Sequence, residues 1–184
     1  MSWFGLRWGP KVPPALAAAL GPDEHLTGLA PAQGGLLLAV SRFGLWLVDG
    51  EQAERWDWHL ISHARLADRV LQLTVADEID HWPDGTVLLA DRPEVQLRPE
   101  RLTRLTDTVH GRVRRSVAAS RHLPWPGAGG WVVLRRVPGR DGLTVQVRLD
   151  AGADPAAPGF AEAVAAAAED MWPATVSPRP GRPS

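Results

Sequence analysis

The sequence predicts an α+β protein: an antiparallel barrel of short strands capped by one amphipathic helix, with an appended strand–strand–helix unit. Three observations carry that expectation. Residues 36–61, LLLAVSRFGLWLVDGEQAERWDWHLI, read as apolar strands that meet at the hairpin signal Asp49-Gly50 and run on into Trp56-Asp57-Trp58. Across residues 99–120 the apolar period changes from two to about 3.6, the mark of a helix laid on a sheet. Beyond a Pro/Gly-rich connection, a second hairpin pattern leads into a second helical one.

Bulk properties bound the rest. A chain of 184 residues is long enough to bury a real core, and its 45% hydrophobic and 22% charged fractions fit a globular protein. Without cysteine there is no disulfide frame, thiolate nucleophile or cysteine metal site. The opening MSWFGLRWGPKV lacks the unbroken apolar core of a signal peptide, and no run reaches transmembrane length, so a cytoplasmic location is expected. Net charge is only −1, but residues 1–97 carry seven basic and thirteen acidic side chains, and residues 98–148 eleven and three. Such a stripe can steer a partner even at low net charge. Nine tryptophans and no tyrosine imply that most tryptophans are core.

Taken in order, residues 1–12 read as an aromatic, glycine-rich arm. Pro13-Pro14 opens a short helix over 15–20, stopped by Gly21-Pro22. Residues 25–30, 36–40, 43–48 and 54–58 are expected strands. The second and third are too apolar to alternate, which implies burial on both faces. Residues 59–67 are ambiguous between strand and helical turn. Residues 70–75 alternate cleanly; Pro83-Asp84-Gly85 turns the chain into 86–90, and 94–97 closes the strand series. In the helix over 99–120, Leu102, Leu105, Val109, Val113 and Val117 form the apolar stripe, beside Arg101, Arg104, Arg112 and Arg115. Gly111 mid-helix implies close packing or a kink. Residues 121–130 read as a connection and 131–137 with 143–149 as a hairpin, Leu143, Val145, Val147 and Leu149 pointing inward and Gln146 and Arg148 outward. A helix is expected over 159–172, then a proline-rich disordered tail. The expected organisation is therefore arm and short helix to 21, barrel with its helix over 22–120, extension over 121–172, tail over 173–184.

Six or seven short antiparallel strands followed by an amphipathic helix resemble a pleckstrin-homology-like barrel. The likeness is closest in AVSRFGLWLVDG, RWDWHLISHARL and RVLQLTVAD. Across residues 13–172 the chain also resembles an uncharacterised actinobacterial family built from such a barrel plus a strand–strand–helix unit, through ALGPDEHLTGLAP, RVRRSVAASRHLP and RLDAGADPAAPGF. The resemblance implies a fold and no reaction. Pleckstrin-like folds often serve as platforms for lipid, peptide or protein, which is an analogy of fold alone.

Patterns for chemistry are weak. His59 and His63 are four apart and His81 follows Asp77, Glu78 and Asp80, but no HExxH is present and a zinc enzyme is not expected. Ser41, Ser62, Ser116 and Ser120 lie in no G-x-S-x-G elbow. The acidic cluster around Asp84 reads as a solvated turn, and the glycines near Gly34 and Gly127 match neither a Walker loop nor a dinucleotide fingerprint. No cofactor is implied.

The arginines say more. Arg112 and Arg115 fall on one helix face, and Arg135 and Arg136 follow on the hairpin, pointing to opposite faces. Brought together, such guanidiniums would hold phosphate or carboxylate bidentately; the competing reading is a solvated basic face. Arg135 or Arg136, but not both, can join the helix pair. Trp125 and Trp131 flank the connection, either as partner anchors or as rings packed in the seam beside the barrel. The expectation is a non-catalytic protein-binding or scaffolding module that meets its partner at an exposed strand edge or the seam near Trp125; the alternatives are a phosphate- or anionic-lipid-binding module using the basic helix and an unrecognised hydrolase. With a pI near 6.6 and no reading motif, nucleic acid is not expected.

Overall fold

The computed structural model describes residues 11–101, 104–174 and 176. The expected N-terminal arm over its first ten residues, Leu102 of the helix stripe and most of the tail lie outside them.

Helix α1, Pro14–Ala19, starts with proline in its first turn, where the fixed φ suits the helix and the missing N–H is no loss. Four strands then form an antiparallel meander: β1 Leu26–Pro31, β2 Leu37–Ser41, β3 Gly44–Asp49 and β4 Gln52–Asp57. Asp49 pairs with Gln52, so Gly50-Glu51 is the two-residue turn, with Gly50 at φ +56. Leu38, Val40, Leu45 and Trp56 face the main core. Ala39, Trp46 and Val48 face the other way, where Leu16 of α1 covers them. That second layer is why β2 and β3 do not alternate in sequence.

The chain turns at Trp58, whose backbone N–H donates to Phe43 O and whose indole N–H donates to Ser41 O. The ambiguous stretch resolves as a turn followed by β5, Ile61–Ala67. Strand β6, Val70–His81, is twice the expected length. Its first half lies between β5 and β8 (Val95–Leu97), and its second half pairs with β7, Val87–Asp91. β7 and β8 run along one edge of β6, interrupted at Pro93, which has no N–H to give the ladder. Ala32 bridges to Pro99, joining the end of β1 to the end of β8. Into the space between the two sheets helix α2, Arg104–Ser116, inserts Leu105, Val109 and Val113 against Leu38, Trp56, Trp58, Ile61 and Leu73. This is an α+β fold of pleckstrin-like topology. Trp56 and Trp58 both sit in its core.

The expected helix is cut short. It ends at Ser116, and Val117–Leu123 forms β9, so Val117 leaves the helical stripe and residues 121–123 leave the connection. β9 pairs with β10, Gly130–Arg135, which pairs with β11, Thr144–Leu149. β11 in turn runs parallel to β7, through Gln146–Val87 and Arg148–Leu89. The sheet is therefore mixed, not purely antiparallel, and the extension contributes three strands. Helix α3, Phe160–Met171, covers one face with Phe160, Val164 and Ala168 against Leu88, Val132, Leu134, Val145 and Val147. The sheet curls strongly: Arg135 on β10 donates to Ile61 O on β5, from near the opposite end of the strand order, at 3.1 Å.

Candidate anion-binding site

Three chain segments meet where α2 ends. The tight turn between β2 and β3 presents Arg42 and Phe43, the last turns of α2 present Arg112 and Arg115, and the chain leaving β10 presents Arg136, Val137, Pro138 and Gly139. They enclose a cleft of about 450 Å³ floored by Trp58 and Ser116. Ser41 shapes the turn, its hydroxyl accepting from the backbone N–H of Phe43 and of Gly44 at 3.1 and 3.2 Å. The Arg42 guanidinium stacks 4.4 Å from the centre of the Phe43 ring, and Arg42 is exposed. Arg136 donates to Arg115 O at 3.2 Å, capping the carbonyl end of the helix. Arg112 is half-buried, and its Nε is enclosed without a protein acceptor. The lining contains no carboxylate. The Arg115 guanidinium lies over Gly111, its nitrogens 3.3 and 3.4 Å from where a Cβ would stand.

The four arginines singled out in sequence are thus divided. Arg112, Arg115 and Arg136 share the cleft, while Arg135 points to the other side of the sheet and is only 4% exposed. Arg135 donates to Ser116 Oγ at 2.5 Å and to Ile61 O, and its Nε has no acceptor. No carboxylate pairs with it among the described residues. Burial, and then the nearby Arg148, lower its pKa to about 10. The alternation of neighbouring strand residues made this division legible in advance. Arg42 was missed, because only the β2–β3 turn brings it beside α2.

Trp125 and Trp131 are not in the cleft. Trp125 is half-buried, its ring edge-on to Phe160 at 5.5 Å and against Gly159, in the core under α3. Trp131 is 38% exposed, tilted against His122 at 5.3 Å with Arg148 over its face at 5.7 Å. Gln146 and Arg148 do not point to open solvent. Gln146 is 1% exposed, and Arg148 is half-buried, 3.4 Å from Asp91.

Several of the other polar groups singled out in sequence have structural partners. Asp77 is bound by Arg92, Glu78 lies near His59 and His81, and Asp84 accepts from Thr86 N–H in the turn. His59 sits in the β4–β5 turn, and burial holds its pKa below the usual imidazole value. Ser116 donates to Val113 O and Ser41 to Glu24. Among the described residues no group of three His, Cys, Asp or Glu side chains is placed to hold a metal ion. Nor is any helix of theirs long and apolar enough to cross a membrane.

The fold and its basic cleft describe a pleckstrin-like chain with the features of a binding or scaffolding protein. No protein-family model, curated protein or solved structure matches it, so the assignment of topology rests on the order and pairing of its own elements.

Proposed function

We propose that this chain is a non-catalytic binding module that recognises an anionic group carried by a protein partner, seated in the cleft between α2 and the β2–β3 turn. The observation that carries the reading is the convergence of Arg42, Arg112, Arg115 and Arg136 on one cleft whose lining has no carboxylate. Arginine forks suit phosphate and carboxylate oxygens, and they lose less hydration than lysine when a ligand covers them. Phe43, Val137 and Pro138 add an apolar wall on which the residue beside the charged group can rest. That combination favours a peptide over a bare ion.

The test uses a fluorescent phosphoserine peptide, its unphosphorylated twin, and vesicles containing anionic lipid. The phosphopeptide is expected to bind more tightly than its twin, and to weaken as ionic strength rises from low to physiological. Reversing Arg112 and Arg115 to glutamate should leave the fold intact, since both side chains reach solvent, and should lower affinity at least about a hundredfold, as loss of two charge-assisted contacts implies. Equal binding of both peptides, or an unchanged affinity in the double variant, refutes the reading. Binding of vesicles alone replaces the protein partner with a membrane surface.

A further inference from the structure

The hollow of the curled sheet, on the side away from α3, holds a second pocket. Its lining includes His59 and His63 from the β5 side and Trp131, Arg135, Gln146 and Arg148 from β10 and β11, and the His59 Nδ1 is buried without a protein partner. The volume is about 250 Å³, suited to a compact molecule and too small for a folded segment.

Strand register explains the lining. Trp131 pairs with Arg148, Val133 with Gln146 and Arg135 with Thr144, so the alternate residues of β10 and β11 stand on this face. Arg135, Gln146 and Arg148 follow one another along it, the amide between two guanidiniums. Arg148 is tied to Asp91, which Ser62 Oγ also approaches at 2.9 Å, so one end of the row is neutralised. Arg135 at the other end has no carboxylate among the described residues, and its Nε lacks an acceptor. Gln146 is more unusual: both its Nε2 and its Oε1 are buried without a protein partner. Buried side-chain amides normally find partners, because an orphaned donor or acceptor forfeits its hydration. An orphaned amide beside an unpaired buried cation is poorly suited to packing and well suited to holding something.

We propose that this hollow is a ligand pocket, separate from the arginine cleft, for a small molecule bearing a carboxylate beside an amide-like donor–acceptor edge. The carboxylate meets Arg135, and the edge pairs with both atoms of the Gln146 amide. Val133 and Leu89 supply the apolar floor, and Trp131 stands half-exposed at the mouth. The inference does not rest on the cleft reading.

5-Oxoproline contains both groups, because its lactam ring holds N–H and C=O on one edge beside the carboxylate; acetate and 2-pyrrolidinone each contain one. Titrating the full chain with each, while following the Trp131 indole and Gln146 side-chain amide resonances, tests the pairing. 5-Oxoproline is expected to saturate, at least about tenfold tighter than either half, as two cooperating contacts predict. Gln146→Leu removes an amide that no protein group uses. It is expected to melt no lower than the parent and to lose about tenfold in 5-oxoproline affinity. The R112E/R115E variant should bind 5-oxoproline as the parent does, which separates this pocket from the cleft. A parent that shows no saturable shift with any of the three probes, a Q146L chain that binds equally well, or one that melts lower because Gln146 belongs to the packing, each overturns the proposal.

Discussion

Glu24 is the buried carboxylate on which the first sheet depends. Its Oε1 accepts from Ser41 Oγ at 2.5 Å and from the Trp46 indole N–H at 2.8 Å, and its Oε2 from Arg55 at 2.8 Å. Burial alone would raise its pKa, but the bonds from Ser41 and Trp46 and the charge of Arg55 together outweigh burial and hold the carboxyl below its usual range. Because the folded value lies below the unfolded one, the stability it contributes is present above the unfolded pKa and is lost as pH falls through the folded one. Glu24→Gln keeps the shape but puts an amide where three donors converge. It should cost about 1–3 kcal/mol at neutral pH, the range for leaving buried partners unsatisfied. The acid limb of a stability–pH profile from urea melts should also be flatter in the variant. An unchanged limb would show that Glu24 is not the titrating group. None of this was legible in ALGPDEHLTGLAP, where Glu24 looks like any acid in a loop; its partners are 17 to 31 residues away.

The hairpin of β5 and β6 contains a different kind of tension. Ala67 pairs with Val70, leaving Asp68-Arg69 as a two-residue turn with φ of +49 and +63. That is the backbone a type I′ turn demands, and a side-chain-bearing residue resists it by about 1 kcal/mol or more, Arg more than Asp. Replacing the pair by Asn-Gly should therefore raise stability by about 1 kcal/mol, read as a higher urea midpoint at unchanged slope. A lower midpoint would mean that the Arg69 side chain contributes more to the fold than its backbone opposes. Elements with strong local signals were legible: the Asp49-Gly50 hairpin, the 145/147 alternation of β11 and the 105/109/113 stripe of α2. β9 was not. VAASRHL has neither alternation nor strong strand propensity, and it becomes a strand because β10 offers it an unpaired edge. Gly129 lets the two strands meet, since a Cβ there would stand 2.1 Å from Leu123 O. The arginine cleft was half legible for the same reason: helix spacing pairs Arg112 with Arg115, but only the tertiary fold adds Arg42.

β7 belongs to both parts of the molecule. One edge of it pairs with β6 of the pleckstrin-like half, the other with β11, and Leu88 from its middle is buried against α3. Arg135 adds a second tie by bonding Ser116 at the end of α2 and Ile61 at the start of β5. A chain stopped after Ser116 would expose the β7 edge and the apolar Leu88 face together. It would also lose the strand that carries Arg135. Exposed apolar edge strands invite aggregation, and the core remaining beside β7 cannot cover them. The full chain is therefore expected to unfold in one step, with equal calorimetric and van't Hoff enthalpies. The chain ending at Ser116 should be insoluble, or should melt without a cooperative transition. Two resolved transitions in the full chain, or a soluble truncated chain that unfolds sharply, would show instead that the pleckstrin-like half is self-sufficient and that the β9–β10–β11–α3 unit is an accessory docked on its edge.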